Sequence, residues 1–201
     1  MTTTSVELVD CMGSDLSVVN AARVSMDKAS QWNTTNLATY AGPEDKILHE
    51  NDVKLIKYLA KHNHWTPFGH ASASFRIKAP IFIARQLGKH QVGLVWNEVS
   101  RRYVDSDPEF YEPSEWRAKA PNVKQGSSID TVEDNVGICI EYTNAVKECY
   151  LTYKKMLDHG VCPEQARMIL PQSMMTEWIW SGSLYAFSRV CNLRIDPHTQ
   201  K

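Results

Sequence analysis

Between residues 71 and 78 the chain alternates strictly, with Ala71, Ala73, Phe75 and Ile77 apolar and Ser72, Ser74, Arg76 and Lys78 polar between them. A period of two is the period of a strand, so this segment predicts a β-strand with one buried face. Most of the remaining signals are helical. Ser14 or Asp15 can cap a helix reaching about Met26, with Leu16, Val19, Ala22 and Val24 as its apolar face. A second helix is predicted from about Asp52 to His62 on Val53, Ile56 and Leu59, with Leu55 beside them. Pro80 suits the first turn of a helix carrying Ile81, Ile83, Ala84 and Leu87. Further helices are expected from about Val132 to Asp158, stopped by His159-Gly160, then from Pro163 through Leu170, and from Ser181 or Ser183 through Asn192. Val6–Val9 reads as a short first strand, and residues 104–128, with Pro108, Pro113 and Pro121, as an irregular surface loop. The sum is an α+β fold, a small antiparallel sheet flanked by helices.

The 201 residues contain no repeat and no low-complexity linker, which predicts one domain over 1–201. A net charge of −1 argues against a non-specific nucleic-acid binder, which needs a basic excess. No run approaches the roughly 18 apolar residues of a membrane helix, and the first residues lack the basic and apolar regions of a signal peptide. Cys11, Cys139, Cys149, Cys162 and Cys191 are odd in number and scattered, which points to free thiols in a reducing cytoplasm.

The chemistry concentrates between Arg85 and Tyr103, where Arg85, Lys89, His90, Arg101 and Arg102 surround a single carboxylate, Glu98. With Gln86, Gln91, Asn97 and Ser100 among them, these cations suit an anion rich in hydrogen-bond acceptors, such as a nucleotide phosphate; charge alone fits a solvated face equally well. Gly88 and Gly93 permit close backbone approach to a ligand but form no dinucleotide-binding glycine motif. Arg167, expected near the middle of a helix, and Arg194, between Leu193 and Ile195, each predict a partly buried guanidinium in need of an anion. His62, His64 and His70 have no acid to complete a metal set, and Trp178 and Trp180 near a helix start favour core over a stacking platform. None of the cysteines sits in a motif that supplies a base, so inert thiols are expected.

The order of these residues resembles the flavin-dependent thymidylate synthases. That family's signature is Arg-His-Arg, a spacer of seven, then Ser, embedded in Asn-Glu-x-Ser-x-Arg-Tyr. Asn97-Glu98-Val99-Ser100-Arg101-Arg102-Tyr103 fits the second half completely. The first half reads Lys89-His90-Gln91, and its spacer to Ser100 is eight residues, so a bulge or a re-phased turn is expected. Four other blocks follow the family's order: Ala21-Ala22-Arg23-Val24-Ser25, His64-Trp65-Thr66-Pro67-Phe68-Gly69-His70, Ala166-Arg167-Met168-Ile169-Leu170-Pro171, and Leu193-Arg194 with His198 and Gln200. The family continues into another helix beyond this point.

The resemblance implies methylation of dUMP to dTMP, with methylenetetrahydrofolate as carbon donor, FAD as cofactor and NADPH as its reductant. It implies that Gln86, Lys89, Glu98, Ser100, Arg101, Arg102 and Arg167 hold dUMP, and that Arg194 polarises the uracil as the catalytic group. Ser25, His64, Thr66, Lys89, His90, Gln91, Glu98, Ser183 and Arg189 would touch FAD, with Ser183 and Arg189 each standing where the family has Asn. It also implies a cytoplasmic homotetramer whose sites are shared between subunits. The alternatives are a flavin enzyme giving another one-carbon product on a pyrimidine nucleotide, such as a hydroxymethylated one, and a catalytically silent nucleotide-binding homologue.

Overall fold

The computed structural model describes residues 3–33, 47–121 and 126–195. The chain opens on strand β1 (Ser5–Met12), longer than the segment expected, with every residue exposed. Helix α1 (Asp15–Arg23) then gives way to a 3₁₀ turn, Val24–Met26, so it stops short of the predicted end. Val18 and Val19 are its buried pair, and Val24, expected on the apolar face, is 72% exposed. Helix α2 (Glu50–Lys61) buries Leu59 together with a carboxylate, Asp52, and leaves Val53 at the surface. The acid is tolerated there because Arg23 Nε and the Ser30 hydroxyl each donate to it at 3.0 Å, which ties α2 to α1.

The alternating segment is strand β2 (Ser72–Pro80), and its last residue, Pro80, is the N-cap of helix α3 (Ile81–Leu87), one position before the first turn. Strand β3 (Leu94–Glu98) lies inside the charged stretch and was not visible in the sequence pattern. The expected loop holds a small hairpin, β4 (Arg117–Lys119) with β5 (Ser127–Thr131). Helix α4 (Asn135–Asp158) starts three residues later than predicted because the Asp134 carboxylate caps it, accepting from Gly137 N at 2.9 Å. Helix α5 (Pro163–Ala166) is a single turn followed by a 3₁₀ turn, Arg167–Ile169, so Arg167 ends a helix instead of standing inside one. Trp178 and Trp180 belong to a strand, β6 (Met175–Ser183), and not to a helix start. Helix α6 (Leu184–Arg194) follows directly, capped by the Ser183 hydroxyl accepting from Ala186 N at 3.2 Å. Among the described residues no helix is long and apolar enough to cross a membrane.

Four strands pair antiparallel in the order β1-β2-β6-β3. Phe75, Ile77 and Ala79 of β2 and Trp178 and Trp180 of β6 share one face with Trp96 of β3, and α3 and α6 cover it through Ala84 and Val190. Trp96 stacks on Trp178 with ring centroids 4.3 Å apart. The opposite face is polar, with Ser74 and Ser181 hydroxyls 2.8 Å apart and Arg76 paired with Glu177. The core lies on the apolar face, under the same strands that frame the cleft.

Candidate active site

Strand β3 hangs from the edge of β6, and the chain beyond it is pinned at both ends. Val99 N donates to Glu177 O at 2.9 Å, and Met175 N donates to Glu109 O at 2.8 Å. The excursion between, carrying Ser100, Arg101 and Arg102, therefore starts and finishes on the same strand. Opposite β3, the end of α3 turns through Gly88–Gln91. The third wall comes from Arg167 and Met168 and from the run Leu170–Gln172. Together these enclose a cleft of about 970 Å³ on the covered face of the sheet, floored by Trp96, Thr176 and Trp180. Gln91–Gly93 form a turn in which Leu94 N reaches Gln91 O at 3.3 Å, with Gly93 at φ +76°, a conformation that favours glycine.

Of the residues assigned to nucleotide and flavin, Lys89, His90, Gln91, Glu98, Arg101 and Arg167 line this cleft, joined by Arg85. Glu98 is held by two donors: the Thr176 hydroxyl at 2.7 Å and Trp96 Nε1 at 3.2 Å. Thr176 and Trp96 were missed in the sequence; the signal for Thr176 is its place two residues before Trp178 and four before Trp180, on one face of a strand. Trp180 is both core and cleft floor, and its buried indole N–H has no hydrogen-bond partner among the described residues. Arg101 donates to the Ser106 carbonyl, and Arg102 Nε to the Ser100 hydroxyl at 3.1 Å. Arg167 is exposed, not partly buried as expected, because it sits past the end of α5, where its Nε donates to Glu164 O at 3.1 Å.

Arg194, in the last turn of α6, reaches the cleft wall from behind. Its Nε donates to His90 Nε2 at 3.0 Å and its Nη2 to the backbone carbonyl of Gln86 at 3.3 Å. Burial, then the charges of Arg194 and Arg189, hold the His90 imidazole below its ordinary value. Arg189 is exposed on α6 within electrostatic reach of that ring.

The remaining assignments fall elsewhere. Ser25 follows α1, where its hydroxyl donates to Ala22 O at 2.9 Å. His64 packs edge-on to Tyr58 and His62, Thr66 opens the 3₁₀ turn Thr66–His70, and Ser183 caps α6. Ser183 lies seven residues along β6 from Thr176, roughly 23 Å for an extended strand. None of these four lines the cleft, and neither do Gln86, Ser100, Arg102, Arg189, Arg194 or the five cysteines, among the described residues.

The fold and the cleft define an α+β protein with a cation-rich, aromatic-floored site for an anionic ligand. The chain belongs to the flavin-dependent thymidylate synthase family: the family described as "Thymidylate synthase complementing protein" matches residues 7–201. The flavin-dependent thymidylate synthase of Kosmotoga olearia is 39% identical over 198 residues, 97% of this chain and 78% of that protein. The enzyme of the same name from Thermosipho africanus is 36% identical over 194 residues, 96% of this chain and 78% of its own. Among solved structures, a UMP/dUMP methylase, PolB, from Streptomyces cacaoi bound with 5-bromo-dUMP superposes with a TM-score of 0.77 at 30% identity, covering 96% of this chain and 79% of that one.

Proposed function

We propose that this chain methylates dUMP to dTMP, taking the carbon from methylenetetrahydrofolate and using FAD reduced by NADPH. The carrying observation is the cleft itself, which gathers Lys89, Gln91, Arg101 and Arg167 around a fixed carboxylate, Glu98, with Arg194 behind the wall. Arg101 and Arg167 suit the phosphate, with Arg102 and Ser100 beside them; Gln86 and Glu98 suit the sugar and base. Arg194 stabilises negative charge growing on the pyrimidine, a role in which a fixed cation acts most strongly in a site shielded from water. FAD, when bound, supplies the hydride; no cysteine near the cleft is available to attack the base.

The residues fit a flavin dinucleotide in two parts. Lys89, His90, Gln91 and Glu98 form one part at the cleft, while Ser25, His64, Thr66 and Ser183 lie away from it. A ligand contacting both parts is accommodated when neighbouring copies contribute one part each, which supports the homotetramer with shared sites. The five free thiols support a reducing cytoplasm as its location.

The test is product analysis with purified protein, FAD, NADPH, methylenetetrahydrofolate and dUMP. dTMP is expected; hydroxymethylated dUMP or unreacted nucleotide would overturn the proposal. UMP is run in parallel, because the similar solved structure is a methylase of both UMP and dUMP.

A further inference from the structure

Arg194 meets two acceptors on one turn. The Gln86 carbonyl and His90 Nε2 both belong to the end of α3 and the residues just after it, where Gly88 N also bonds back to Ala84 O at 2.8 Å. An imidazole nitrogen that accepts from a guanidinium carries no proton, so the His90 proton sits on Nδ1. The charges around the ring are Arg194 and Arg189 from α6, Lys89 beside it, and Glu98, Arg101 and Arg167 from the other walls of the cleft. Burial first, and then the charges of Arg194 and Arg189, keep the ring neutral and its Nε2 an acceptor. A long arginine side chain alone would sample several rotamers, each costing entropy to fix when ligand binds. Two acceptors on a rigid turn fix it beforehand. A neutral acceptor has a second consequence, because a carboxylate in the same place would hold the guanidinium but cancel its charge, and a neutral imidazole holds it with the charge intact.

We propose that neutral His90 is a positioning residue for Arg194, fixing the guanidinium against the cleft wall while leaving its full positive charge for the pyrimidine. This rests on the reading of Arg194 as the group that stabilises charge on the base. It predicts an acid limb in the rate. As pH falls through the value for His90, which lies below the ordinary histidine value of about 6.5, the ring becomes a cation facing Arg194 and the contact breaks.

Three variants, with saturating FAD and dUMP, test the assignment. His90→Leu removes the acceptor and lowers kcat roughly 10–100-fold. His90→Gln places a neutral, non-titrating acceptor near the Nε2 position; it recovers a large part of that loss and abolishes the acid limb. His90→Glu supplies an acceptor that cancels the charge, so its kcat stays well below that of His90→Gln. A readout free of turnover comes from NMR titration of the His90 ring in the protein without ligands, where Arg194→Ala should raise its midpoint. Flavin absorbance of each variant reports whether a loss comes only from lost FAD; where His90→Leu fails to hold flavin, the glutamine variant and the NMR midpoint decide. Equal losses in the leucine and glutamine variants, or a His90 midpoint indifferent to Arg194→Ala, would overturn the proposal. Full turnover in Arg194→Ala would instead remove the catalytic reading of Arg194, a different failure from the loss of the His90 contact.

Discussion

Arg23 stands in a segment that matches the family, yet its guanidinium turns inward to Asp52 and not toward a ligand. Burial alone would push the Asp52 carboxyl up; the hydrogen bonds from Arg23 and Ser30 and the Arg23 charge outweigh it and hold the group below its ordinary value. A folded-state value below the unfolded one means that this contribution is present above the unfolded value of about 3.9 and is lost as pH falls through the folded one. Arg23→Ala strands a carboxylate that is 1% exposed, so a loss of roughly 3–5 kcal/mol at pH 7 is expected from urea denaturation. In that variant burial acts unopposed by Arg23 and the Asp52 value rises, so the deficit should shrink as pH approaches 4; a deficit constant with pH would show that the pair is not its source. The contrast with Arg167 and Arg194 shows what single residues disclose. A cation among apolar neighbours announces that it needs an acceptor, but not which: Arg23 and Arg194 find Asp52 and an imidazole through contacts at long range, while Arg167 turns back to the carbonyl of Glu164, three residues away.

At the scale of elements, β2 was legible because its alternation is clean, and the stop of α4 at His159-Gly160 and the start of α6 at Ser183 were legible because such signals are local, whereas the Asp134 cap of α4 was not read. β6 was not, although it is central to the sheet. Ile179 puts an apolar side chain on the face that carries Glu177 and Ser181, between Trp178 and Trp180 in sequence, and the run then has no period. β3 was hidden for another reason: five residues lying within a charged stretch carry too little pattern. Gly182 marks the joint between the two missed strands. A Cβ there would come within 2.5 Å of a Leu94 side-chain atom and 2.6 Å of the Gly93 carbonyl oxygen, and the backbone atom cannot move aside cheaply. Gly182→Ala should therefore push β3 away from β6 and cost about 1–3 kcal/mol of stability, measured by thermal unfolding. It should also weaken nucleotide binding, because β3 carries Glu98 into the cleft. An unchanged melting temperature would mean that the β3–β6 contact is looser than the register implies.

At the scale of the whole molecule, apolar surface remains on two elements that little else covers. β1 leaves Val6, Leu8 and Met12 at the surface, and along α4 Val136 and Ile140 are 71% and 58% exposed. Apolar faces of this kind call for a partner surface. The proposed flavin residues, divided into two parts, call for one as well. The resemblance already implied shared sites, whereas the apolar faces of β1 and α4 could not be read from residue order, because they depend on what the fold leaves uncovered. The five family blocks, by contrast, were legible as local strings in the order of residues; His198 and Gln200, in the last of them, lie outside the described residues. If copies of the chain complete one another's sites, assembly and flavin binding are linked, and each must strengthen the other. Dilution should then release FAD over the same concentration range in which sedimentation velocity shows the assembly dissociating, and added FAD should shift that range downward. The flavin's fluorescence on release gives one curve and the sedimentation coefficient the other; the two should coincide. A proven monomer that retains one FAD per chain would sink the shared site and leave the exposed faces of β1 and α4 to some other purpose.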